Sequence, residues 1–535
     1  MDMVKLIRLI RYRTISQPWR RYCSGSEGWN WEAKVGLEVH AQINTSCKLF
    51  SSSPVQFYAP PNTLVSYVDA ALPGTLPVLN RECVKAGVAT ALALSFKINR
   101  RSYFDRKHYF YCDLPAGYQI TQQRVPLGVD GGLTSYVVSP RKVNHLIDGT
   151  FMPRKTLSVR LKQIHLEQDS GRSIYDGYGR QTLVDLNRAG IGLMEIVTEC
   201  DFGCGQEAVG FVKELLAVLR SINTCTGNFD EGAIRVDANV SINRSGDPFG
   251  TRTEIKNISG LRLLGKAIDN EIERQINHVE SGGKIVHETR GYDEKLGLTL
   301  RMRDKEGHKD YRYIPEPDLP PLVLVHQEDC TELPDDDPWK PVNIHTVLKS
   351  MPILPAEIRA NLMDSYGISL EEAFILHAED GIEYFETVMS NCKYGNIAAI
   401  WATTELLGVL RRKAFNYKSS PISGIEFGKV IDMLGNNTIS TATAKKVIRK
   451  VILDEQHASP AEIIYRENLT QINDVEELAR LCDEVLSTSS AKALLANKTK
   501  KSPIGQLIGQ ILNQTKGRAN PVLLNKIMTE KVANR

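Results

Sequence analysis

The stretch AIRVDANVSIN, residues 233–243, alternates apolar and polar side chains without a break. Because successive side chains of a β-strand point to opposite faces, such a strand has one apolar face and one polar face. The apolar face holds Ile234, Val236, Ala238, Val240 and Ile242, and the polar face holds Arg235, Asp237, Asn239, Ser241 and Asn243. The stretch therefore predicts a strand that packs on a core with one side and carries charged groups on the other.

Other segments repeat this pattern with chemically active side chains. Residues 34–42 place Glu38 and His40 on one face, roughly 6.6–6.8 Å apart. Similar polar faces recur at 164–169 (His165, Glu167, Asp169), 183–187 (Asp185, Asn187), 192–199 (Glu195, Glu199) and 252–256 (Arg252, Glu254, Lys256). A half-solvated antiparallel sheet also alternates, and it is the simpler explanation for any single strand. The repeated use of Glu, Asp, His, Asn and Arg, instead of Lys, Thr, Ser and Gln, favours a functional surface.

A carboxylate-rich face is a natural site for hard divalent cations. Mg²⁺ prefers oxygen ligands and bridges the phosphates of a nucleotide. Interspersed Arg and Lys side chains would neutralise the phosphates and the charge that develops during phosphoryl transfer. The residue pattern therefore favours an enzyme that acts on a metal–nucleotide complex.

The familiar nucleotide and hydrolase motifs are missing from the sequence. Residues 260–267, GLRLLGKA, approach a P-loop, but Ala267 replaces the hydroxyl that would bind Mg²⁺. The same residues begin an amphipathic pattern over 261–280, so we interpret them as the start of a helix. No GxGxxG follows a predicted strand, and no GxSxG elbow occurs.

The composition is that of an ordinary globular protein. The 535 residues are 42% hydrophobic and 24% charged, with 66 Lys+Arg against 63 Asp+Glu. No uninterrupted apolar run of about 18 residues occurs, so no membrane span is expected. The ten cysteines form no CxxC pair, which is typical of free thiols rather than of a disulfide framework.

The net charge of +3 is unevenly distributed. Residues 1–26 contain six basic side chains and one acidic one, which is typical of a mitochondrial presequence, although a disordered basic tail has the same composition. Residues 491–535 contain nine basic side chains and one acidic one, Glu530. This tail is predicted to bind the phosphate backbone of RNA, although a basic end that only increases solubility has the same composition. The intervening residues 27–490 therefore carry a net charge of −10.

Prolines separate two regions of different pattern. IPEPDLPPL at 314–322 and ELPDDDPW at 332–339 exclude a helix interior and a central strand. Strand-like alternations and three helical stretches precede them, and helical periodicity follows them to the end of the chain. The fold class predicted is α+β, followed by one or two all-α domains.

The polar strands lie within a series of longer motifs. These are VGLEVHAQ (35–42), RKHYFYCDLPAGYQITQ (106–122), IHLEQDSG (164–171), DLNRAGIGLMEIVTE (185–199), RVDANVSI (235–242), EIKNISGLR (254–262), ETRGYDE (288–294), YRYIPEPDLPPL (311–322), SPAEII (459–464), IGQLIGQIL (504–512) and TKGRANP (515–521). In this order they resemble the B subunits of the tRNA-dependent amidotransferases, the GatB/GatE family. The spacing after ETRGYDE leaves no room for the large insertion of the archaeal E-type subunits, which favours the B type.

The resemblance implies a domain organisation. A presequence at 1–28 would precede a glutamine-synthetase-like cradle domain with a mixed or antiparallel sheet at 29–325. A Pro/Asp-rich linker at 326–342 would lead to an all-α helical domain at 343–425 and a YqeY-like, tRNA-binding helical tail at 426–535.

The resemblance also implies a function. B subunits work in a heterotrimer with an amidase-type A subunit, which is a glutaminase, and a small C subunit. The complex is a carbon–nitrogen ligase that converts Glu-tRNA(Gln) to Gln-tRNA(Gln), and in some organisms Asp-tRNA(Asn) to Asn-tRNA(Asn). The B subunit uses ATP and Mg²⁺ to phosphorylate the side-chain carboxylate, and ammonia from the A subunit displaces the phosphate. With the presequence, this predicts a role in the mitochondrial matrix on tRNA(Gln) charged with glutamate.

Site residues follow by matching positions to the family motifs. The Mg²⁺ ligands predicted are Glu38, His40, Glu167 and Glu195, and the phosphate or carboxylate contacts are Arg188, Arg235 and Lys256. Further cofactor or substrate contacts are Asp169, Asp237, Tyr118 and Gln119, with a packing role as an equal alternative for the tyrosine. The tRNA contacts predicted are Lys498, Lys500, Lys501, Lys516 and Arg518.

One departure from the family concerns zinc. Many bacterial relatives hold a structural zinc ion with a CxC and a CPxC pair, but Ser51, Ser53, Ser66 and Asp69 stand at the ligand positions here. Serine is a poor zinc ligand, so this site is predicted to be lost.

Two alternative functions remain open at this point. A non-catalytic tRNA-binding or assembly protein could keep the fold, although the acidic face is retained. A stand-alone ATP-dependent amide ligase would act on a small molecule, for which a basic helical tail has no use.

Overall fold

The strand predicted at 233–243 forms near the middle of a large mixed sheet. The computed structural model describes residues 21–24, 29–143, 146–177, 179–258, 260–304, 311–326, 341–454, 458–488 and 503–533. In chain order the strands are β1 (Arg21–Ser24), β2 (Trp29–Gln42), β3 (Lys97–Ile98), β4 (Arg101–Ser102), β5 (Asp105–His108), β6 (Tyr118–Thr121), β7 (Gly128–Val143), β8 (Leu146–Gln168), β9 (Arg172–Asp176), β10 (Gln181–Asp185), β11 (Gly192–Thr198), β12 (Ile234–Arg244), β13 (Thr253–Lys256), β14 (Glu288–Asp293), β15 (Leu298–Asp304), β16 (Ile314–Pro315), β17 (Leu322–Val325) and β18 (Val342–Asn343).

Ten of these strands form the central sheet. Their order is β15-β14-β13-β12-β2-β11-β8-β7-β3, and β1 pairs additionally with β2. Strands β12 and β11 run antiparallel to β2, whereas β13 and β14 run parallel to each other. The prediction of a mixed sheet is therefore confirmed.

Three helices cover the apolar face of this sheet. They are α1 (Arg81–Ala93), α2 (Gly205–Ser221) and α3 (Leu261–Glu280), and their buried side chains share one core with Val35, Leu37 and Val39 of β2. The burial of each such side chain stabilises the folded state by about 1.5–3 kcal/mol. With the apolar face covered by helices, the opposite face of the sheet is left for polar side chains.

All of the P-loop-like residues except Gly260 are helical, as interpreted from the sequence. Helix α3 begins at Leu261, directly after Gly260, whose φ of 116° is open to glycine but strained for other residues. Residues 261–267 therefore belong to the first turns of a packed helix and do not form a phosphate-binding loop.

The chain divides into two compact units, and three small sheets and a short helix complete the first, which contains the central sheet. They are β9–β10, β16-β5-β6, β18-β17-β4 and the helix α4 (Ile344–Ser350). Strand β10 pairs with β9 and not with the central sheet. The expectation that residues 183–187 belong to the acidic face is thus wrong, because alternation reveals the two faces of a strand but not its partner.

The second unit is helical apart from the ends of β7 and β8 that belong to it. Contacts divide the chain into residues 1–139 with 153–355, and residues 140–152 with 356–535. The helices that follow α4 are α5 (Pro355–Tyr366), α6 (Leu370–Ala378), α7 (Ile382–Met389), α8 (Gly395–Trp401), α9 (Leu407–Arg412), α10 (Gly424–Gly435), α11 (Thr441–Leu453), α12 (Pro460–Arg466), α13 (Val475–Ser487), α14 (Pro503–Gln514) and α15 (Pro521–Ala533). A π-helical turn, Ala402–Leu406, joins α8 to α9. The predicted order of an α+β region followed by helices is confirmed.

This helical unit contains two hydrophobic cores. One runs from Leu362 to Leu469, and the other from Leu478 to Met528. The boundary at 425/426 that the family resemblance implies lies inside α10, whose Phe427 belongs to the first core. We therefore propose that the tail begins after Leu469.

Two sequence predictions fall outside the described residues. These are most of the presequence (1–20 and 25–28) and most of the linker (327–340). In the ranges that are described, no helix is long and apolar enough to cross a membrane.

Candidate active site on the polar face of the central sheet

The register of four strands brings the predicted polar residues together. On β11, Glu195 lies opposite His40 of β2 on one side and opposite His165 of β8 on the other. On β12, Arg235 lies opposite His40, and Asp237 lies opposite Glu38. The acidic face is thus built from paired neighbours across β8, β11, β2 and β12.

One group on this face combines a histidine with two carboxylates. The Nε2 atom of His40 lies 3.5 Å from Glu167 Oε1 and 3.5 Å from Glu195 Oε2. Donor atoms of the three residues lie within 4.8 Å of one another, as metal ligands would. We call His40, Glu167 and Glu195 the histidine cluster.

A second histidine supports this cluster. His165 Nε2 lies 3.1 Å from Glu195 Oε2 and 3.8 Å from Glu167 Oε2, and its side chain is almost fully buried. The sequence put His165 on the right face, but the predicted site omitted it. Only the register shows that it contacts the same carboxylates.

Burial and charge act against each other in this cluster. Burial would lower the pKa of His40, but the Glu195 and Glu167 carboxylates outweigh it and raise that pKa. The same balance raises the pKa of His165 to about 10. Burial would raise the pKa of Glu195, yet His165 and His40 hold it well below its usual value. The cluster therefore keeps a carboxylate ionised in a buried place.

Another group consists of three carboxylates. Glu38, Asp237 and Glu254 bring one oxygen each to within 4.8 Å of the others. Burial, followed by the charges of Glu195 and Glu254, raises the pKa of Glu38, while Asn239 Nδ2 donates to its Oε1 at 3.0 Å. We call these three residues the carboxylate cluster.

Lys256 lies beside the carboxylate cluster. Its Nζ is 3.0 Å from Asp237 Oδ2 and 3.0 Å from Glu254 Oε1. Burial would lower the pKa of Lys256, but the two carboxylates outweigh it, so the ammonium stays charged.

The predicted set of four metal ligands is therefore divided in the structure. Glu38 joins Asp237 and Glu254, while His40, Glu167 and Glu195 form the other group. Glu254 is absent from the predicted ligands, although its alternation with Arg252 and Lys256 was the available signal.

Two arginines meet at Asp169. Arg235 lies 2.9 Å from Asp169 Oδ2, and Arg188 Nε lies 3.6 Å from the same oxygen. Arg188 also donates to the carbonyl oxygens of Ser170 and Gly171, at 3.0 and 2.6 Å. This pairing fixes two guanidinium groups at the edge of the acidic face.

Tyr118 and Gln119 are both engaged by protein neighbours. The guanidinium of Arg106 lies 4.3 Å from the centroid of the Tyr118 ring. Gln119 is buried, accepts a hydrogen bond from Tyr109 Oη at 3.1 Å and donates to the Gln168 carbonyl at 2.8 Å. Their predicted contact with substrate stays a prediction.

The predicted remnant of the zinc site surrounds a buried lysine. Lys48 Nζ lies 2.9 Å from Asp69 Oδ2 and donates to the Leu64 carbonyl at 2.7 Å. Ser51 Oγ donates to Asp69 Oδ1 at 3.2 Å, and the Ser66 amide donates to Asp69 Oδ2 at 2.9 Å. Ser53 contributes its carbonyl, which accepts from the Lys48 amide at 3.0 Å.

The predicted tRNA contacts lie partly outside the described residues, namely Lys498, Lys500 and Lys501. Lys516 is exposed, and Arg518 Nε donates to the Thr515 carbonyl at 3.4 Å. A basic face on α11, which the sequence analysis missed, lies in the same helical unit. It comprises Lys445, Lys446, Arg449 and Lys450.

Comparisons with known proteins show which family the chain resembles. The family model of the GatB/GatE catalytic domain matches residues 33–329, and that of the GatB domain matches residues 383–532. The B subunit of mitochondrial glutamyl-tRNA(Gln) amidotransferase from Homo sapiens is 45% identical over 506 residues, 94% of this chain and 89% of the human protein. That of Danio rerio is 45% identical over 500 residues, 93% of this chain and 89% of the fish protein. The B subunit of aspartyl/glutamyl-tRNA(Asn/Gln) amidotransferase from Rickettsia typhi is 41% identical over 512 residues, 96% of this chain and 99% of its own length. With both family models matched and relatives 41–45% identical over 93–96% of its length, the chain belongs to the GatB/GatE family.

Proposed function

We propose that this chain is the ATP-dependent subunit of a tRNA-dependent amidotransferase, and that it phosphorylates the side-chain carboxylate of glutamate esterified to tRNA(Gln). The observation that carries the proposal is the pair of ligand clusters on one sheet face, in a chain that is 45% identical to the B subunit of a human amidotransferase. On this proposal the acidic face catalyses phosphoryl transfer, and the enzyme provides no covalent nucleophile.

The residues present fit Mg²⁺. The carboxylate cluster offers three oxygen donors, and the histidine cluster offers two oxygens and one imidazole nitrogen. Oxygen is the donor that Mg²⁺ prefers, and the remaining positions suit water and substrate phosphates. The raised pKa of Glu38 supports this fit, because burial and the charges of Glu195 and Glu254 raise it and a dication bound there would favour the ionised carboxylate. Bound Mg²⁺ would neutralise charge on the phosphates during transfer.

The reaction has two steps. A carboxylate oxygen of the glutamyl group attacks the γ-phosphorus of ATP while the bond from that phosphorus to the ADP oxygen breaks. Ammonia then attacks the acyl carbon, its nitrogen loses one proton to solvent, the carbon–oxygen bond to phosphate breaks, and phosphate leaves as the amide forms. Activation is required because a free carboxylate is a poor electrophile.

The chain's own cations have a defined part in these steps. Lys256, held between Asp237 and Glu254, supplies a fixed positive charge beside the carboxylate cluster. Arg235 and Arg188, oriented by Asp169, supply guanidinium groups that suit phosphate or carboxylate oxygens. Preorganised charges of this kind lower the transition-state energy because they need no reorganisation during the reaction.

The partners and location belong to the same proposal. An amidase-type A subunit would supply ammonia and a small C subunit would complete the heterotrimer, consistent with relatives that are themselves B subunits of amidotransferases. The basic side chains of the tail and of α11 would hold the tRNA. The relatives named mitochondrial and the basic N-terminal composition support a place in the mitochondrial matrix. The zinc site would be replaced by the ion pair of Lys48 and Asp69.

The test uses the complex reconstituted with its A and C subunits, Glu-tRNA(Gln), ATP, and ammonium chloride in place of glutamine. We expect ATP-dependent formation of Gln-tRNA(Gln), and a loss of at least about 100-fold in kcat for Glu167→Gln, the scale of removing one preorganised group from such a site. Glu82→Gln, on the exposed surface of α1, is the control. An unaffected Glu167→Gln enzyme would favour a non-catalytic tRNA-binding role. Activity of the isolated chain on free glutamate would favour a stand-alone ligase.

A further inference from the structure

A row of tyrosines lies next to the histidine cluster and has no part in the chemistry described above. Neighbouring ring centroids are separated by 5.7 Å for Tyr111–Tyr109, 6.3 Å for Tyr109–Tyr311 and 6.0 Å for Tyr311–Tyr313. We call these four residues the tyrosine row. The two segments that supply it are joined by a hydrogen bond from the His108 amide to the Tyr311 carbonyl, at 2.8 Å.

The row is accessible at its ends. Tyr111 is 45% exposed and Tyr313 is 38% exposed, whereas Tyr109 and Tyr311 between them are half-buried. Large aromatic side chains exposed in a continuous row suggest a surface that another molecule covers.

Basic side chains lie in the same two segments as these rings. The two segments read RKHYFY at 106–111 and YRY at 311–313, without an acidic residue in either. Lys107 Nζ lies 5.1 Å from the Tyr311 centroid and 5.9 Å from that of Tyr109. Aromatic rings interleaved with cations are the arrangement by which proteins bind unpaired nucleotides, since every base has a face that can stack.

The row is fixed to the acidic face by the β5–β6 hairpin. Lys107 is the cross-strand partner of Gln119, which holds the Tyr109 hydroxyl and the carbonyl of Gln168. Two residues along β6, Thr121 Oγ1 donates to Glu167 Oε2 at 3.3 Å. The tyrosine row and the histidine cluster are therefore parts of one continuous surface.

We propose that the tyrosine row stacks the unpaired bases at the 3′ end of the aminoacylated RNA, so that the esterified amino acid beyond them reaches the histidine cluster. This inference rests on the proposed function. The adenine of ATP shares the stacking chemistry, but a run of four rings exceeds what one base covers and suits several consecutive nucleotides. An apolar segment of a protein partner would not use the interleaved cations.

The test compares variants in the reconstituted complex. Tyr111→Ala and Tyr313→Ala are each expected to raise the KM for Glu-tRNA(Gln) at least about fivefold and to leave the KM for ATP unchanged, because stacking of one base is lost. Tyr111→Phe and Tyr313→Phe keep the ring and should restore the KM. Tyr175→Ala, which removes an 81% exposed tyrosine on β9, is the matched control and should behave as the wild type.

Other results would overturn the inference. A raised KM for ATP alone would assign the row to the nucleotide, and unchanged KM values with weakened association of the A or C subunit would assign it to a protein contact. In either case the wild-type conversion, and with it the proposed function, would stand.

A second measurement needs neither a variant nor turnover. An RNA hairpin with a single-stranded ACCA end, carrying 8-azidoadenosine at its terminus, is cross-linked by light to the wild-type complex. Cross-links within 108–117 or 311–313 support the inference, and cross-links confined to other peptides contradict it.

Discussion

At the scale of single residues, Glu195 is the group on which the site converges. Two histidines from neighbouring strands contact the same carboxylate, at 3.1 and 3.5 Å, and together hold its pKa well below the usual value despite burial. Since a buried, ionised carboxylate is costly without partners, these histidines are what permit it. His165 and Glu254 were left out of the predicted site, and each lies on a strand beside one that carries a predicted site residue, β8 beside β11 and β13 beside β12. Their membership depends on register, which a pattern along one strand does not reveal.

Glu254 tests the assignment of a metal ligand to the carboxylate cluster. We predict that Glu254→Gln raises the Mg²⁺ concentration needed for half-maximal ATP-dependent amidation by at least about tenfold, because even outer-shell substitutions typically cost 10–100-fold in metal affinity. The measurement is a Mg²⁺ titration of the reconstituted complex. Glu294→Gln changes an exposed glutamate paired with Arg262 and is the control. An unchanged Mg²⁺ requirement would remove Glu254 from the ligands.

At the scale of elements, the alternation of apolar and polar residues predicted most strands of the central sheet but not which strands pair with each other. Strands β2, β11 and β12 lie where the sequence placed them, because one buried face imposes a period of two. Residues 183–187 alternate in the same way, yet β10 pairs only with β9. The basic face of α11 was missed for a different reason: its charges alternate with buried residues and are balanced by acids elsewhere, so composition does not reveal it.

Lys48 tests whether its ion pair with Asp69 stabilises the loop in which the zinc site is predicted to be lost. The side chains of Lys48 and Asp69 are almost fully buried and 2.9 Å apart. Lys48→Met should lower the free energy of unfolding by about 3–5 kcal/mol, since it leaves a buried carboxylate without its partner. Lys97→Met breaks an ion pair with Asp130 whose side chains are both mostly exposed, and should change stability by less than about 1 kcal/mol. Urea unfolding measures both, and equal effects would refute the account.

His377, on α6, gives the helical unit a dependence on pH. Burial, helped by Arg359, lowers the pKa of this histidine to about 4. Between its unfolded value near 6.5 and this folded value, the unfolded chain binds more protons, so stability falls as the pH drops through that window. After allowance for the partial exposure of His377, the free energy of unfolding falls by on the order of 2 kcal/mol.

The measurement is the urea midpoint of the wild type and of His377→Gln at several pH values from 7 to 4. The difference between the two should shrink or reverse as the pH falls, because the glutamine does not titrate. Parallel curves over the whole window would show that His377 has no such effect.

At the scale of the whole molecule, charge is segregated. Residues 27–490 carry a net charge of −10, yet the helical unit holds the basic face of α11 and the basic tail. An acidic face suits metal and nucleotide, whereas basic faces suit the RNA backbone, so the near-neutral total conceals two surfaces of opposite sign.

The α11 face predicts a dependence on salt. Arg449 is exposed on this face, whereas Lys446 and Lys450 are both paired with Glu467. Arg449→Ala should weaken binding of Glu-tRNA(Gln) and reduce the slope of log K against log salt by about 0.7–0.9, the loss of one phosphate contact. Filter binding at several salt concentrations measures the slope. Arg412→Ala, at the end of α9, is the control, and an unchanged slope for Arg449→Ala would exclude the contact.

The central claim is that this chain activates a carboxylate by phosphorylating it. The direct measurement is to label both side-chain carboxylate oxygens of Glu-tRNA(Gln) with ¹⁸O and to analyse the inorganic phosphate after conversion in the reconstituted complex. The account predicts one ¹⁸O atom in each phosphate released, and release of labelled phosphate at least about 100-fold slower with Glu167→Gln. Phosphate without ¹⁸O from an active wild-type complex would contradict it.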